Sequence, residues 1–216
     1  MNKRKSLLLS VATAICAFAF LITGGSNVKV SAQQMGDMPY DLHYIDMTIM
    51  HHEEGIEMAQ LAQTKAVNAG VKAFATKTAA DQQKDIEELQ GYRKQWYADK
   101  PMMDRTMMES MMKSMHPKMN MDMDETRRSL RAASGAAFDR MFLDTMTHHH
   151  MMAIDMSKDA IAKGEHAEVK EFARKAVAKQ QAEIAEMNKL KGGGSPKSTS
   201  KAKPKPKAKT MPAHKH

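Results

Sequence analysis

Apolar residues recur at steps of three and four along four segments of the chain, which is the spacing of one helix face. Two of these rows also include a histidine, and the other two include a glutamine. The rows are Ile45, Ile49, His52, Ile56 and Ala59; Val71, Phe74, Thr78, Gln82, Ile86 and Leu89; Leu143, Thr147, His150, Ile154 and Ser157; and Val169, Phe172, Ala176, Gln180, Ile184 and Met187. The alternation typical of strands is almost absent, so the pattern predicts an all-α fold.

The four segments are two copies of one pattern. Residues 46–58 share an aspartate, a pair of histidines, an isoleucine and a methionine with residues 144–156, which lie 98 positions downstream. At the same offset and without a gap, ten of the nineteen residues in 71–89 are identical to those in 169–187. Each copy predicts one helical hairpin, so we expect an up-down four-helix bundle built from two related hairpins.

The duplicated motif resembles the DUF305 family over roughly 40–98 and 138–191. It consists of an aspartate, paired histidines and an Ile-x-Met step, followed by a glutamine, an acid and an isoleucine. The residues that carry it are Asp46, His51, His52, Ile56, Met58, Gln83, Asp85 and Ile86 in copy one, and Asp144, His149, His150, Ile154, Met156, Gln181, Glu183, Ile184 and Met187 in copy two. The resemblance implies a ferritin-like helical fold and, for Met-rich members, a copper-binding protein of the cell envelope.

The first 32 residues have the pattern of a secretory signal peptide. Three basic residues at 3–5 precede an apolar run at 7–22, and small residues at 30–32 supply a cleavage site. The run is shorter than the ~20 residues that a membrane span needs. We therefore predict cleavage and a periplasmic or secreted protein, which would lack cysteine because Cys16 lies in the leader.

Composition changes again at Gly192, which ends the expected domain at 33–191. Residues 192–216 contain seven lysines and no acid, so the net charge of +8 becomes +4 without the leader and −3 without the tail as well. We predict a disordered tail that docks on acidic envelope polymers or anionic lipid headgroups, or that only keeps the protein soluble. Nucleic acid is not an expected partner, and the oligomeric state stays open.

A second strip runs about 100° around each first helix from the apolar row. Its members are methionines, histidines and one glutamate: Met47, Met50, His51, Glu54 and Met58 in copy one, and His148, His149, Met152 and Met156 in copy two. Thioether and imidazole are the ligands that soft Cu(I) prefers, and imidazole also binds Cu(II). Methionine stripes are common in cores, but the accompanying histidine and glutamate favour a metal site here.

His52 and His150 belong instead to the apolar rows, which leaves two interpretations open for them. A buried polar group without a partner costs about 1–3 kcal/mol. The simplest partners are the glutamines of the second helices, Gln82 and Gln180, which would form a buried His–Gln network. Alternatively, His52 and His150 are themselves metal ligands.

The linker at 99–130, between repeat one (40–98) and repeat two (138–191), is rich in methionine. Five of its methionines are four residues apart, and others flank them, together with one histidine: Met103, Met107, Met111, Met115 and Met119, with Met108, Met112 and His116. This spacing predicts a linker helix with sulfur atoms on neighbouring turns. Methionine also serves as hydrophobic filler, but the interspersed charged residues favour Cu(I) or Ag(I) binding.

Known catalytic patterns do not occur in the sequence. It has no Glu-x-x-His of a di-iron bundle, no His-Glu-x-x-His and no phosphate-binding glycine loop. The function that we expect is an exported, non-enzymatic protein that sequesters or relays copper, with Cu(I) preferred and Cu(II) or Ag(I) possible, in metal tolerance. The alternative is a structural envelope protein held by the His–Gln network, with the basic tail docked on acidic polymers.

Overall fold

A computed structural model describes residues 38–102, 104–107, 110 and 123–193. These ranges contain helices α1 (Tyr40–Lys65), α2 (Ala69–Trp96), α3 (Met123–Ala132), α4 (Gly135–Lys163) and α5 (Ala167–Lys191). No strand occurs in the ranges described. The prediction of an all-α protein made of two helical hairpins is confirmed, because α1 pairs with α2 and α4 pairs with α5.

The turn within each hairpin is held by an aspartate of the other hairpin. Asp41, in the first turn of α1, accepts hydrogen bonds from the backbone N–H groups of Glu165 (2.9 Å) and His166 (2.7 Å). Asp139, the equivalent residue of the second copy and the fifth residue of α4, accepts from the backbone N–H groups of Val67 (3.0 Å) and Asn68 (2.8 Å). Both carboxylates are buried. Each first helix therefore begins where the other ends, and α1 and α4 are antiparallel.

This arrangement fixes the topology of the bundle. Because α2 returns antiparallel to α1, and α4 is also antiparallel to α1, the four long helices run up, down, down and up. The end of α2 at Trp96 and the start of α4 at Gly135 therefore lie at opposite ends of the bundle, and the segment from Tyr97 to Ser134, the crossover, connects them. The predicted up-down order is wrong, because such a bundle has only short turns, whereas one long crossover is typical of ferritin-like bundles.

The apolar core consists of two clusters, one toward each end of the bundle. The first contains Leu42, Ile45, Ile49, Ile86, Leu89, Val169 and Phe172, and the second contains Ala59, Val71, Phe74, Phe138, Phe142, Met146 and Met187. The four predicted rows face these clusters, and nearly all of their members are buried; Ile56, Thr147 and Ile184 are partly exposed. The hydrophobic spacing therefore predicted the core-facing side of every long helix.

The described part of the crossover is attached to the bundle by ion pairs. Arg93 of α2 contacts Asp46 (Nε to Oδ1, 2.7 Å) and donates to the carbonyl of Lys100 (3.1 Å), where the crossover begins. Glu54 of α1 pairs with Arg105 (3.4 Å) and with Arg127 of α3 (3.8 Å). These contacts hold both ends of the crossover against the first hairpin.

The predicted signal peptide at 1–32 and the tail beyond Gly193 lie outside the described residues. The described helices include none with the length and hydropathy of a membrane span.

The aspartate clamps can be tested by comparing Asp41→Ala with Asp139→Ala. Each change removes a buried carboxylate that accepts two backbone hydrogen bonds, so each should lower the free energy of unfolding by about 2–3 kcal/mol. Only Asp41 also bonds the His166 ring (Nδ1, 2.7 Å), which stacks on Trp96 at 3.9 Å. Thermal melts should show both losses, while the fluorescence of Trp96, the single tryptophan, should change only in Asp41→Ala.

The Asp139→Ala variant is the matched control for this experiment. A full wild-type melting temperature in either variant would show that its clamp does not stabilise the bundle.

Candidate functional site

Four histidines lie between the two apolar clusters, at the middle of the bundle. His51, His52, His149 and His150 expose only 5, 1, 1 and 0% of their surface. We call these residues, together with the buried Gln82 and Gln180, the histidine layer. The predicted burial of His52 and His150 is confirmed. His51 and His149 are buried as well, because α1 packs on α4 as well as on α2.

His51 and His149 form a stacked pair across the α1–α4 contact. Their ring centroids are 3.5 Å apart and the ring planes differ by 21°. His149 Nε2 lies 2.9 Å from the carbonyl oxygen of His51. A carbonyl only accepts, so Nε2–H donates and Nδ1 of a neutral His149 ring carries the lone pair. That Nδ1 and both ring nitrogens of His51 have no hydrogen-bond partner among the described residues.

The surroundings keep this pair neutral. Burial lowers the pKa of His51 well below its ordinary value, and the nearby His52 and His150 rings lower it further. Burial, and then the nearby His51 ring, which would repel a second positive charge, lower the pKa of His149 in the same way. A neutral imidazole is the form that binds a metal ion, so proton competition at these rings is displaced to lower pH than for a free histidine.

His52 and His150 each bond a carboxylate of their own hairpin. His52 Nε2 is 3.2 Å from Asp85 Oδ2, and His150 Nε2 is 2.8 Å from Glu183 Oε2. Each carboxylate also contacts a lysine of the other hairpin: Lys179 bonds Asp85 Oδ2, and Lys77 lies 3.1 Å from Glu183 Oε1. These two acid–histidine–lysine chains connect α2 and α5 across the bundle.

The hydrogen bonds keep both carboxyl groups ionised. Burial alone raises the pKa of Asp85, but bonds from His52 and Lys179 outweigh it and hold the pKa below its ordinary value. For Glu183 burial again raises the pKa, and the bonds from His150 and Lys77 lower it overall. An ionised carboxylate only accepts hydrogen bonds. The proton in each histidine–carboxylate bond therefore belongs to the histidine.

The predicted His–Gln pairing is wrong. The carboxamide atoms of Gln82 and Gln180 make no hydrogen bond within the described residues, although both side chains are buried. Carboxylates three positions further along α2 and α5 take the histidine protons instead, because an ionic acceptor forms the stronger bond. Gly55 leaves the space that Gln82 occupies, since a Cβ there would overlap its carboxamide.

The methionines of the second strip belong mostly to the core. Met47 and Met156 pack in the first apolar cluster and Met58 in the second, on the opposite side of the histidine layer. Along one helix Met47 and Met58 are separated by roughly 16 Å, so one ion cannot contact both. Met152 is buried and Met50 partly exposed, whereas Glu54 is engaged by the arginines of the crossover.

Toward the surface, α4 presents a half-exposed His148 near Met151, which exposes 47% of its surface. Burial lowers the pKa of His148, and its Nδ1 has no partner in the part of the chain described. Of the linker methionines, Met107 packs against the first cluster. Met103, Met108, Met111, Met112, Met115, Met119 and His116 lie outside the described residues, so their metal binding stays a prediction.

Within the described ranges, no three or more side chains of His, Cys, Asp or Glu are grouped so as to hold a metal ion. The potential ligands that the structure brings together are the imidazoles of the histidine layer. Sequence reasoning missed the two lysines that complete the chains, Lys77 and Lys179. The repeat does not identify them, because the two lysines are not equivalent to each other. The residue 98 positions after Lys77 is Lys175, and the residue 98 positions before Lys179 is Asp81.

The fold and the motif define the class of this protein. The family model of DUF305, a domain of unknown function, matches residues 41–191, and the chain belongs to that family. None of the curated proteins matches it.

Solved structures of similar fold fall into two groups. A DUF305 protein of Streptomyces coelicolor has a TM-score of 0.63 and 22% identity, and the match covers 72% of this chain and 93% of that one. CopM in its Cu(II)-bound form has a TM-score of 0.56 and 28% identity, with 71% of this chain and 96% of CopM covered. CopM in its Cu(I)-bound form has a TM-score of 0.57 and 27% identity, with the same coverage. CopM has also been solved with silver.

The buried neutral histidines predict how the stability of the metal-free protein depends on pH. Because the pKa of His51 and His149 is lowered in the folded state, the unfolded chain binds more protons below its own pKa of about 6.5. Stability should be constant above that pH and should fall on acidification. At pH 5.5 the loss from these two residues should be about 3 kcal/mol. Denaturant unfolding at pH 5.5, 6.5 and 7.5 measures it.

The carboxylates Asp85 and Glu183 affect stability in a separate, more acidic pH range. Because their pKa is lowered in the folded state, the stabilisation that they contribute is complete above the ordinary carboxyl pKa and is lost as the pH falls below it. A His51→Gln/His149→Gln variant should show a shallower slope between pH 5.5 and 6.5. An identical slope in this variant would mean that the stacked pair is not kept neutral by burial.

Proposed function

We propose that the protein is an exported, non-enzymatic copper-binding protein that sequesters or relays Cu(I), and also binds Cu(II) or Ag(I), in metal tolerance. The observation that carries the proposal is the likeness to CopM, which has been solved with each of these ions and is 27–28% identical to this chain. That likeness extends over 71% of the chain, and the family model spans residues 41–191, which contain the histidine layer. Export is supported by the leader pattern at 1–32.

The histidine layer supplies suitable ligand atoms. Among the described residues, both ring nitrogens of His51 and one of His149 are buried and make no hydrogen bond. Leaving them unpaired costs free energy, and a bound metal ion would remove that cost for each nitrogen that it takes. Imidazole binds both Cu(I) and Cu(II). His52 and His150 each add one further nitrogen that has no partner in the part of the chain described.

The methionine-rich linker supplies a second kind of ligand. The chain contains 23 methionines, and ten of them fall between Met102 and Met123. A thioether carries no proton to lose, so it binds soft ions at any pH of the cell envelope, and it is not lost to disulfide formation as a thiolate would be. Soft Cu(I) and Ag(I) are therefore the ions that we assign to this segment.

The structural alternative keeps some support from the histidine layer. The acid–histidine–lysine chains join the two hairpins without any metal, as a purely structural device would. In that interpretation the bundle presents a basic tail to acidic polymers of the envelope. It differs from the copper proposal in requiring no ion to be bound.

Removing the stacked pair tests the copper proposal. His51→Ala/His149→Ala should lose most Cu(II) uptake and part of Cu(I) uptake, because the linker thioethers remain. Native mass spectrometry of the 33–216 protein with each ion counts the ions bound. His43→Ala is the matched control, since His43 lies on α1 outside the histidine layer and should leave uptake unchanged. Wild-type uptake no greater than that of a free 99–123 peptide would refute copper binding by the histidine layer, and no uptake of any of these ions would refute the copper proposal as a whole.

Replacing the linker methionines separates the two ligand groups. Met103, Met107, Met108, Met111, Met112, Met115 and Met119 are changed to leucine, which preserves size and apolar character but removes sulfur. We expect fewer Cu(I) or Ag(I) ions per chain at both pH 5 and pH 7, with Cu(II) uptake unchanged. Equal Cu(I) uptake by this variant and by the wild type would assign all soft-ion binding to the bundle.

A further inference from the structure

In both acid–histidine–lysine chains the histidine carries its ring proton on the same atom, Nε2. Asp85 and Glu183 are ionised and accept from Nε2 of His52 and His150 at 3.2 and 2.8 Å. A neutral imidazole carries a single ring proton. With that proton on Nε2, the lone pair lies on Nδ1, and Nδ1 of both rings is buried and has no partner among the described residues.

We propose that Asp85 and Glu183 are positioning residues that hold the ring protons of His52 and His150 on Nε2, so that each Nδ1 is presented to a soft ion such as Cu(I) or Ag(I). This inference rests on the proposed copper-binding function and adds the residues that prepare its ligands. A carboxylate behind a metal-binding histidine fixes the tautomer and the ring orientation, and makes the free nitrogen a better donor.

The lysines connect this preparation to the packing of the two hairpins. Lys179 belongs to α5 but contacts the carboxylate behind His52 of the first hairpin, and Lys77 of α2 contacts the carboxylate behind His150 of the second. Neither hairpin alone can form a complete chain. The lysine contacts, which help to keep the two carboxylates ionised, therefore form only when both hairpins are docked.

The two chains differ in which oxygen atoms they use. At Asp85 a single oxygen, Oδ2, accepts from both His52 and Lys179. At Glu183 the two partners are divided, with His150 on Oε2 and Lys77 on Oε1. This difference predicts opposite results for two amide substitutions that preserve the shape of each side chain.

In Asp85→Asn the single amide oxygen can still accept from both partners, so His52 should keep its proton on Nε2. In Glu183→Gln the ammonium of Lys77 takes the only oxygen, and the amide NH₂ then faces His150. A donor opposite Nε2 requires that nitrogen to accept, so the proton of His150 should move to Nδ1. Removing the lysine in Glu183→Gln/Lys77→Ala frees the amide to turn, and the Nε2 proton should return.

Histidine side-chain ¹⁵N NMR of the metal-free 33–216 protein distinguishes a protonated ring nitrogen from a bare one. We expect the Nε2–H form for both histidines in the wild type, a reversal only at His150 in Glu183→Gln, and its restoration in the double variant. If the carboxylates had only a structural role, the ring proton of His150 would not change nitrogen in Glu183→Gln and change back in the double variant. A wild-type protein with protonated Nδ1 overturns the proposal, even if the variants fail to fold.

Ag(I) affinity, measured by competition with a chelator in the protein whose linker methionines are changed to leucine, supplies the second readout. Glu183→Gln should bind the bundle ion about 10–100-fold more weakly, the usual effect of losing a carboxylate behind a ligand histidine. Asp85→Asn also loses the charge behind its histidine but keeps the His52 proton on Nε2, so its affinity should fall less than that of Glu183→Gln. Melting curves of the three variants verify that each is folded.

The two proposals fail in different ways. Normal Ag(I) binding by a folded Glu183→Gln protein overturns the positioning role and leaves the copper-binding function intact. A wild-type protein that binds neither Ag(I) nor Cu(I) overturns both.

Discussion

A layer of polar side chains at the centre of the bundle is the constraint on which the rest of the structure depends. Unpaired buried polar groups cost about 1–3 kcal/mol each, and this layer places four imidazoles and two carboxamides between two apolar clusters. Among the described residues, the hydrogen bonds of the layer reach one nitrogen each of His52, His149 and His150. These bonds join α1 to α2, α1 to α4 and α4 to α5, so the layer connects each first helix to its neighbours.

The same layer explains why the two hairpins must dock as they do. Each carboxylate that serves a histidine depends on a lysine of the other hairpin, and each interhelical turn depends on an aspartate of the other first helix. Burying a carboxylate is costly unless hydrogen bonds and opposite charges compensate it. These reciprocal contacts are formed only in the antiparallel arrangement of α1 and α4, so they select it over other packings of two similar hairpins.

Sequence periodicity predicted the helices and their core-facing rows, because burial of one helix face leaves a repeating signal in the chain. Periodicity did not predict the hydrogen-bond partners of the buried side chains, because these depend on the geometry of the packed helices. Gln82 was the expected partner of His52 since both lie in apolar rows, yet Asp85 reaches the imidazole and, as an ion, bonds it more strongly. Asp41 and Asp139 are also 98 residues apart, but nothing in this spacing shows that each contacts the opposite hairpin, and the sequence analysis did not identify them.

Departures from the internal symmetry follow from the single crossover. Asp46 and Asp144 occupy equivalent positions, and so do their partners Arg93 and Lys191. Asp46 is fully buried, and its arginine also donates to the carbonyls of Tyr97 and Lys100 at the start of the crossover. Asp144 is exposed and pairs with a lysine at 2.9 Å.

An arginine suits the first copy because its planar group has five donors and can serve a carboxylate and two carbonyls together, whereas a lysine has three donors on one atom. The second copy has no crossover to hold, since α5 leads only to Gly193 within the described residues. Duplication thus supplied two equivalent positions, and the one next to the crossover carries the residue that can also bind the connecting chain.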